Sequence, residues 1–197
     1  MRPIAYALLT ACCLTAAGAQ AGVKSVVKVE TYSIAGNSGD ALMAAMDRNG
    51  PRHGFLARAI AQTRYSVDWD RTWLVSNGRC RLMKADVTLK VNYRYPTLAG
   101  EAPPALKKRW RKFVAGVRKH ERTHGRLARR MADEAYDAAF RVTVDDDRFC
   151  RKAKAEVTQI VHAIYADYEA RQQRFDAIEH QPGGPVEKLV QRLTRRR

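Results

Sequence analysis

The chain alternates first and coils later. Val23 to Ile34 is rich in β-branched residues, which predicts a strand. Gly36-Asn37-Ser38-Gly39 predicts a turn, with Ser38 or Asp40 capping a short helix through Leu42 to Met46. Asn49-Gly50-Pro51 ends that helix. Ala59, Ala61, Thr63, Tyr65, Val67 and Trp69 then face one way, with Gln62, Arg64, Ser66 and Asp68 facing the other, as in a half-buried strand. Ser76-Asn77-Gly78 predicts a tight turn into a strand that starts near Cys80. There Val87, Leu89, Val91, Tyr93 and Tyr95 alternate with Thr88, Lys90, Asn92 and Arg94. The phase slips between Leu82 and Val87, which predicts a bulge near Lys84 to Asp86. Pro96 is expected to close the strand.

Beyond residues 97–104 the period changes. Pro103-Pro104 suits a first helical turn, and a helix is expected from about Ala105 to about Phe140 with Trp110, Phe113, Val117, Leu127 and Met131 as its apolar stripe. Gly125 interrupts it, at about 1 kcal/mol relative to Ala, and lets another backbone approach closely. Asp145-Asp146-Asp147 breaks the pattern and caps a second helix, expected from about Arg148 to about Phe175. Val157, Ile160, Val161, Ile164, Tyr168 and Phe175 are its buried stripe. Gln181-Pro182-Gly183-Gly184-Pro185 breaks the chain again, before a segment from Val186 to Leu193 able to form a short amphipathic helix and a terminal Arg195-Arg196-Arg197. The pattern predicts an α+β fold: a small antiparallel sheet in the N-terminal half packed against two long C-terminal helices. Residues 22–180 read as one domain and 181–197 as a basic, mobile tail.

The start of the chain changes the compartment. Met1-Arg2-Pro3, the apolar run Ile4 to Leu14 and Ala17-Gly18-Ala19 have the layout of a secretory signal peptide over residues 1–21. The run is too short to span a bilayer, and no other stretch reads as transmembrane. Leu9-Thr10-Ala11-Cys12 also resembles a lipoprotein site, but the apolar run before Cys12 would be only about six residues, short for a signal. With the leader removed, Cys80 and Cys150 remain. In an exported protein such a pair reads as a disulfide, closing a loop of about 70 residues for roughly 4 kcal/mol. The net charge is +16, of which the leader carries only Arg2, so +15 remains on the rest of the chain. That charge suits an anionic envelope polymer or simply a solvated basic surface. Export argues against nucleic acid.

The candidate chemistry is His120-Glu121-Arg122-Thr123-His124, an H-E-x-x-H inside the long predicted helix. Residues four apart on a helix share a face, so both imidazoles can ligate one zinc ion while Glu121 serves a water as general base. A catalytic zinc usually takes a third protein ligand. His53 and His162 are weak candidates, one in a loop and one beside apolar residues. His180 is the expected third ligand, just past the second helix in an irregular segment able to fold back. Asp176 and Glu179 are alternative ligands or groups that orient a histidine.

These residues resemble a family of exported bacterial proteins grouped as domain of unknown function 922 and described as predicted secreted zinc-dependent proteases. The resemblance runs through Tyr32 to Gly36, Gly50-Pro51, Ala61-Gln62-Thr63, Val67, Trp69, Gly78-Arg79-Cys80, Val87, Pro96, Trp110, Phe113, the H-E-x-x-H, Cys150 and the segment from Phe175-Asp176 to His180. It implies zinc at His120 and His124 with Glu121 as base. Family members tend to carry an Asp, a Thr and a His-Gly near their end; here Asp176 and His180 stand in that region and Gln181 follows the histidine. The expected function is a periplasmic or secreted zinc metallopeptidase acting on a peptide or cell-envelope substrate. The alternative is a non-catalytic envelope-binding protein with a structural zinc.

Overall fold

The computed structural model describes residues 22–53 and 57–195. The expected signal peptide and Cys12 lie outside them. Strand β1 (Val23–Ile34) leads to α1 (Gly39–Asn49), and Ser38 caps α1 by accepting from the Ala41 N–H. A two-residue pair, β2 (Arg52–His53) with β3 (Ala57–Arg58), precedes β4 (Gln62–Ser76). Asn77 and Gly78, both at positive φ, turn β4 into β5 (Arg79–Leu98). Long helix α2 (Pro104–Arg141), short β6 (Thr143–Val144), helix α3 (Arg151–His180) and α4 (Pro185–Thr194) follow.

The fold is α+β, and its sheet is mixed rather than antiparallel. Strand order is β1-β5-β4, with β6 pairing to the start of β5. β5 inserts between the other two long strands, antiparallel to β4 and parallel to β1. Side-chain alternation is the same in both ladders, so the sequence pattern carried no sign of the difference. The bulge lies slightly earlier than expected. Thr72 pairs with Lys84 and Trp73 with Leu82, leaving Met83 as the extra residue. Pro96 does not close β5, which continues to Leu98. β4 begins at Gln62, opposite Arg94, so Pro96 sits where β5 has a partner on the β1 side alone, and a proline is tolerated at such an edge.

Two apolar clusters lie end to end along α2. One joins Leu82, Val87, Leu89 and Val91 of β5 to Ala128, Ala132, Ala135 and Ala139 of α2 and to Val157 and Val161 of α3. The other joins Tyr32, Ile34, α1 and Leu106, Trp110, Phe113 and Val117 of α2. His120, Glu121 and His124 fall between them. Leu127 of the expected stripe is only partly buried, while Ala128 beside it is fully buried.

Both ends of α3 differ from expectation. It starts at Arg151 because Cys150 adopts a left-handed conformation and the Asp147 carboxylate accepts from the Arg151 and Ala153 N–H groups. It continues five residues past Phe175. Nothing between Phe175 and His180 breaks a helix, and Asp176 and Glu179 turn toward the α2 histidines while His180 stands exposed at the rim. The stretch expected as a mobile tail is packed as α4. Leu193 is fully buried in the second cluster, Arg109 donates to its carbonyl, and Leu189 fills the space that a side chain at Gly116 would need. Cys80 and Cys150 form a disulfide between the start of β5 and the start of α3. The bond is consistent with an extracytoplasmic location. Among the described residues no helix is long and apolar enough to cross a membrane.

Candidate metal centre

One turn of α2 separates His120 from His124, and their Nε2 atoms lie 3.2 Å apart. α3 supplies the opposing face. Asp176 Oδ1 lies 2.9 Å from His124 Nε2 and 3.3 Å from His120 Nε2, so three donor atoms form a nearly equilateral triangle. His180, one turn further along α3, brings its ring to 5.3 Å from the His120 ring between centroids. Ligand atoms of His120, Asp176 and His180 lie within 4.8 Å of one another, a group able to hold a metal ion.

Each imidazole is held from behind. Gln172 Oε1 is 2.5 Å from His124 Nδ1, while Gln172 Nε2 donates to the His124 carbonyl at 3.2 Å. Because the amide nitrogen is committed to that carbonyl, Oε1 must face Nδ1. The imidazole proton therefore sits on Nδ1 and leaves the Nε2 lone pair for the centre. His120 stacks on Phe175 at 4.9 Å, and its Nδ1 has Glu179 Oε2 at 3.5 Å. His120 Nδ1 and Asp176 Oδ1 are both buried without a well-formed hydrogen bond. Buried polar atoms are rarely left so, and the near neighbours of Asp176 Oδ1 are the two imidazole Nε2 atoms, a set of donor atoms turned toward one another.

Glu121 points to the sheet side of α2 and is buried. The Thr63 hydroxyl, on β4, donates to Glu121 Oε2 at 2.6 Å and lies 3.1 Å from the Glu121 carbonyl. Below it, Tyr93 fits against Gly125; a Cβ there would stand 1.9 Å from the Tyr93 hydroxyl. The close approach at this glycine is thus by a side chain, not by a backbone as expected.

The charges are coupled. Burial pushes the Asp176 carboxyl up, but the two imidazoles outweigh it and hold the group well below the usual carboxylate range. Burial likewise pushes His124 down, and its bonds to Asp176 and Gln172 more than reverse this. Burial, then the neighbouring His120, lowers His180.

His120, His124, Asp176, Glu179 and His180 come together here, on two helices rather than on a helix and a loop, and Glu121 lies beside them on the sheet side of α2. Asp176 and Glu179 are adjacent to the imidazoles, and His180 is at the exposed rim. His162 is exposed elsewhere on α3, and the His53 side chain lies outside the described residues. Sequence reasoning missed Gln172, Thr63 and Tyr93. The signal for Gln172 was its spacing, since Gln172, Asp176 and His180 recur every four residues.

Residues 29–184 match the family described as bacterial protein of unknown function, DUF922. The chain belongs to that family. The DUF922 match takes in α1, α2 and α3, hence both helices of the centre, and stops just before α4. No curated protein and no solved structure matches the chain.

Proposed function

We propose that this protein is an exported zinc-dependent peptidase or related amide hydrolase. The observation that carries the reading is the triangle of His120 Nε2, His124 Nε2 and Asp176 Oδ1, with edges of 2.9 to 3.3 Å. Donors at about 2.0–2.2 Å around a tetrahedral zinc stand roughly 3.3–3.6 Å apart, so the set would take that ion after its shortest edge widens by about half an ångström. His120, His124 and Asp176 would be its ligands, with His180 next to them at the rim. Zinc bound there supplies Lewis acidity, which polarises a carbonyl and brings a coordinated water's pKa to about 7. Glu121 is the general base: Thr63 engages Oε2, which leaves Oε1 to take a proton from water and hand it to the leaving amine. An extended substrate would lie along the outer edge of β4, whose Thr63 end adjoins Glu121. Residues 1–21 would direct the chain to the periplasm or beyond.

Elemental analysis and a peptide and peptidoglycan cleavage screen test this together. Wild type is expected to carry one zinc per chain, His120→Ala and Asp176→Ala to lose it, and Glu121→Gln to keep zinc but lose hydrolysis. Equal zinc in wild type and His120→Ala sinks the site. The proximity of His180 favours a second reading, a closed four-ligand structural zinc in an envelope protein whose basic surface binds an anionic polymer. Zinc loss in His180→Ala, with no cleavage by wild type, would select it.

A further inference from the structure

The face of α2 away from α3 carries a second feature. Arg118, Arg122, Arg126 and Arg129 recur at helical spacing on the side that overhangs β1. The Arg118 guanidinium lies 5.4 Å over the Tyr95 ring, Arg122 and Arg126 act electrostatically on the Tyr93 hydroxyl, and Arg129 Nη1 donates to Ser25 Oγ at 2.8 Å. Tyr95 pairs with Thr31, Tyr93 with Val29, and Leu89 with Ser25. The arginines therefore descend the sheet in the order Thr31, Val29, Ser25. From 118 to 129 the helix rises about 17 Å, while six strand residues span about 20 Å, so the stripe keeps pace with the strand. Arg118, Arg122 and Arg126 form no ion pair among the described residues.

β1 is an outer strand, paired on its β5 side alone among the described residues. On the face shared with α2 it exposes Val27 at 57% and Val29 at 59%, and Val26 on the opposite face is 45% exposed. A long outer strand with open main-chain groups and exposed valines is a ready template for another strand. Residues two apart on such a strand advance about 6.7 Å, close to the roughly 6 Å between arginines one helical turn apart. Acidic side chains at alternate positions would meet successive arginines.

We propose that the strip between α2 and β1 docks an extended acidic segment of another protein, which adds to β1 as a strand. The exposed valines and open main chain of β1 favour a polypeptide over a polyanion, because a phosphate polymer would use the arginines and leave both exposed. Charge repulsion disfavours a second copy of this chain, which would bring two arginine stripes, Lys24 and Lys28 together at a net charge of +16 each. The strip lies across α2 from the imidazoles and stands whether or not the centre is catalytic.

The probe is a fluorescent eight-residue peptide alternating Glu and Thr, followed by anisotropy at low salt, where charge contacts are least screened. Saturable binding is expected. Arg118→Glu/Arg126→Glu should weaken it by about tenfold or more with zinc content unchanged. Replacing Glu by Gln in the peptide, or N-methylating alternate amides so that no strand can pair, should weaken it similarly on the wild-type protein. Absence of binding overturns the proposal. So does equal binding of the N-methylated peptide, or polyphosphate binding more tightly than the peptide, either of which assigns the stripe to polyanions. The peptide arms use unaltered protein, so a variant that fails to fold does not blunt the test.

Discussion

Gln172 is where one side chain decides most. It is buried, clamps the His124 ring and main chain at once, and fixes which imidazole nitrogen is bare. Groups that orient a metal-binding histidine typically matter tenfold to a hundredfold in affinity. Gln172→Ala is therefore expected to weaken zinc binding by about 10–100-fold without unfolding the chain, as read by chelator competition. The Asp176–His124 pair makes a second residue-scale prediction, for metal-free protein. Asp176 is depressed from its ordinary 3.8, so its contribution to stability is present above that value and fades as pH falls. His124 is raised from its ordinary 6.5, so its contribution is present below that value and fades as pH rises through the folded value. The Tm of chelated protein should therefore be favoured by this pair between the two, with Asp176→Asn flattening both limbs of a pH–Tm profile. The triplet on α2 was legible because H-E-x-x-H is a local pattern. Thr63 was legible only as an inward strand position, since its partner Glu121 is 58 residues away.

α2 and α3 act as two rulers laid side by side. Histidines four apart on one face Asp176 and His180, also four apart, on the other, and the centre is the contact between them. α2 can lie this close to the sheet because its inner face uses Gly125 and then Ala128, Ala132, Ala135 and Ala139. Gly125→Ala gains helix propensity of about 1 kcal/mol but drives a methyl into the Tyr93 ring. A net loss of about 1–3 kcal/mol is expected from such overpacking, measured by denaturant unfolding. Tyr93→Phe in the same chain should recover part of it, because the hydroxyl is the nearest atom. The end of α3 was misjudged for a related reason. Its apolar stripe stops at Phe175, and an apolar period cannot report a helix whose last turn meets its neighbour through polar groups, Asp176 and Glu179.

At the scale of the whole molecule, the disulfide ties the start of β5 to the start of α3, and Asp147 reinforces the junction by donating its N–H to the Gly78 carbonyl at 2.9 Å. With a sequence separation of 70, the Cys80→Ser/Cys150→Ser protein should lose about 4 kcal/mol, visible as a lower urea midpoint. α4 closes the other end over Gly39 and Gly116. The sequence by itself determined the long strands and helices, the capped start of α1, the pairing of the two cysteines and the motif on α2. All of these rest on contacts within a few residues or on composition. Only the tertiary structure decided that the sheet is mixed, that the last segment is packed, that Asp176 stands nearer the imidazoles than the rim-exposed His180, and that an arginine stripe runs beside an open valine edge. Each of these depends on which elements come together in space, and hydrophobic periodicity says which face of an element is buried but not what buries it.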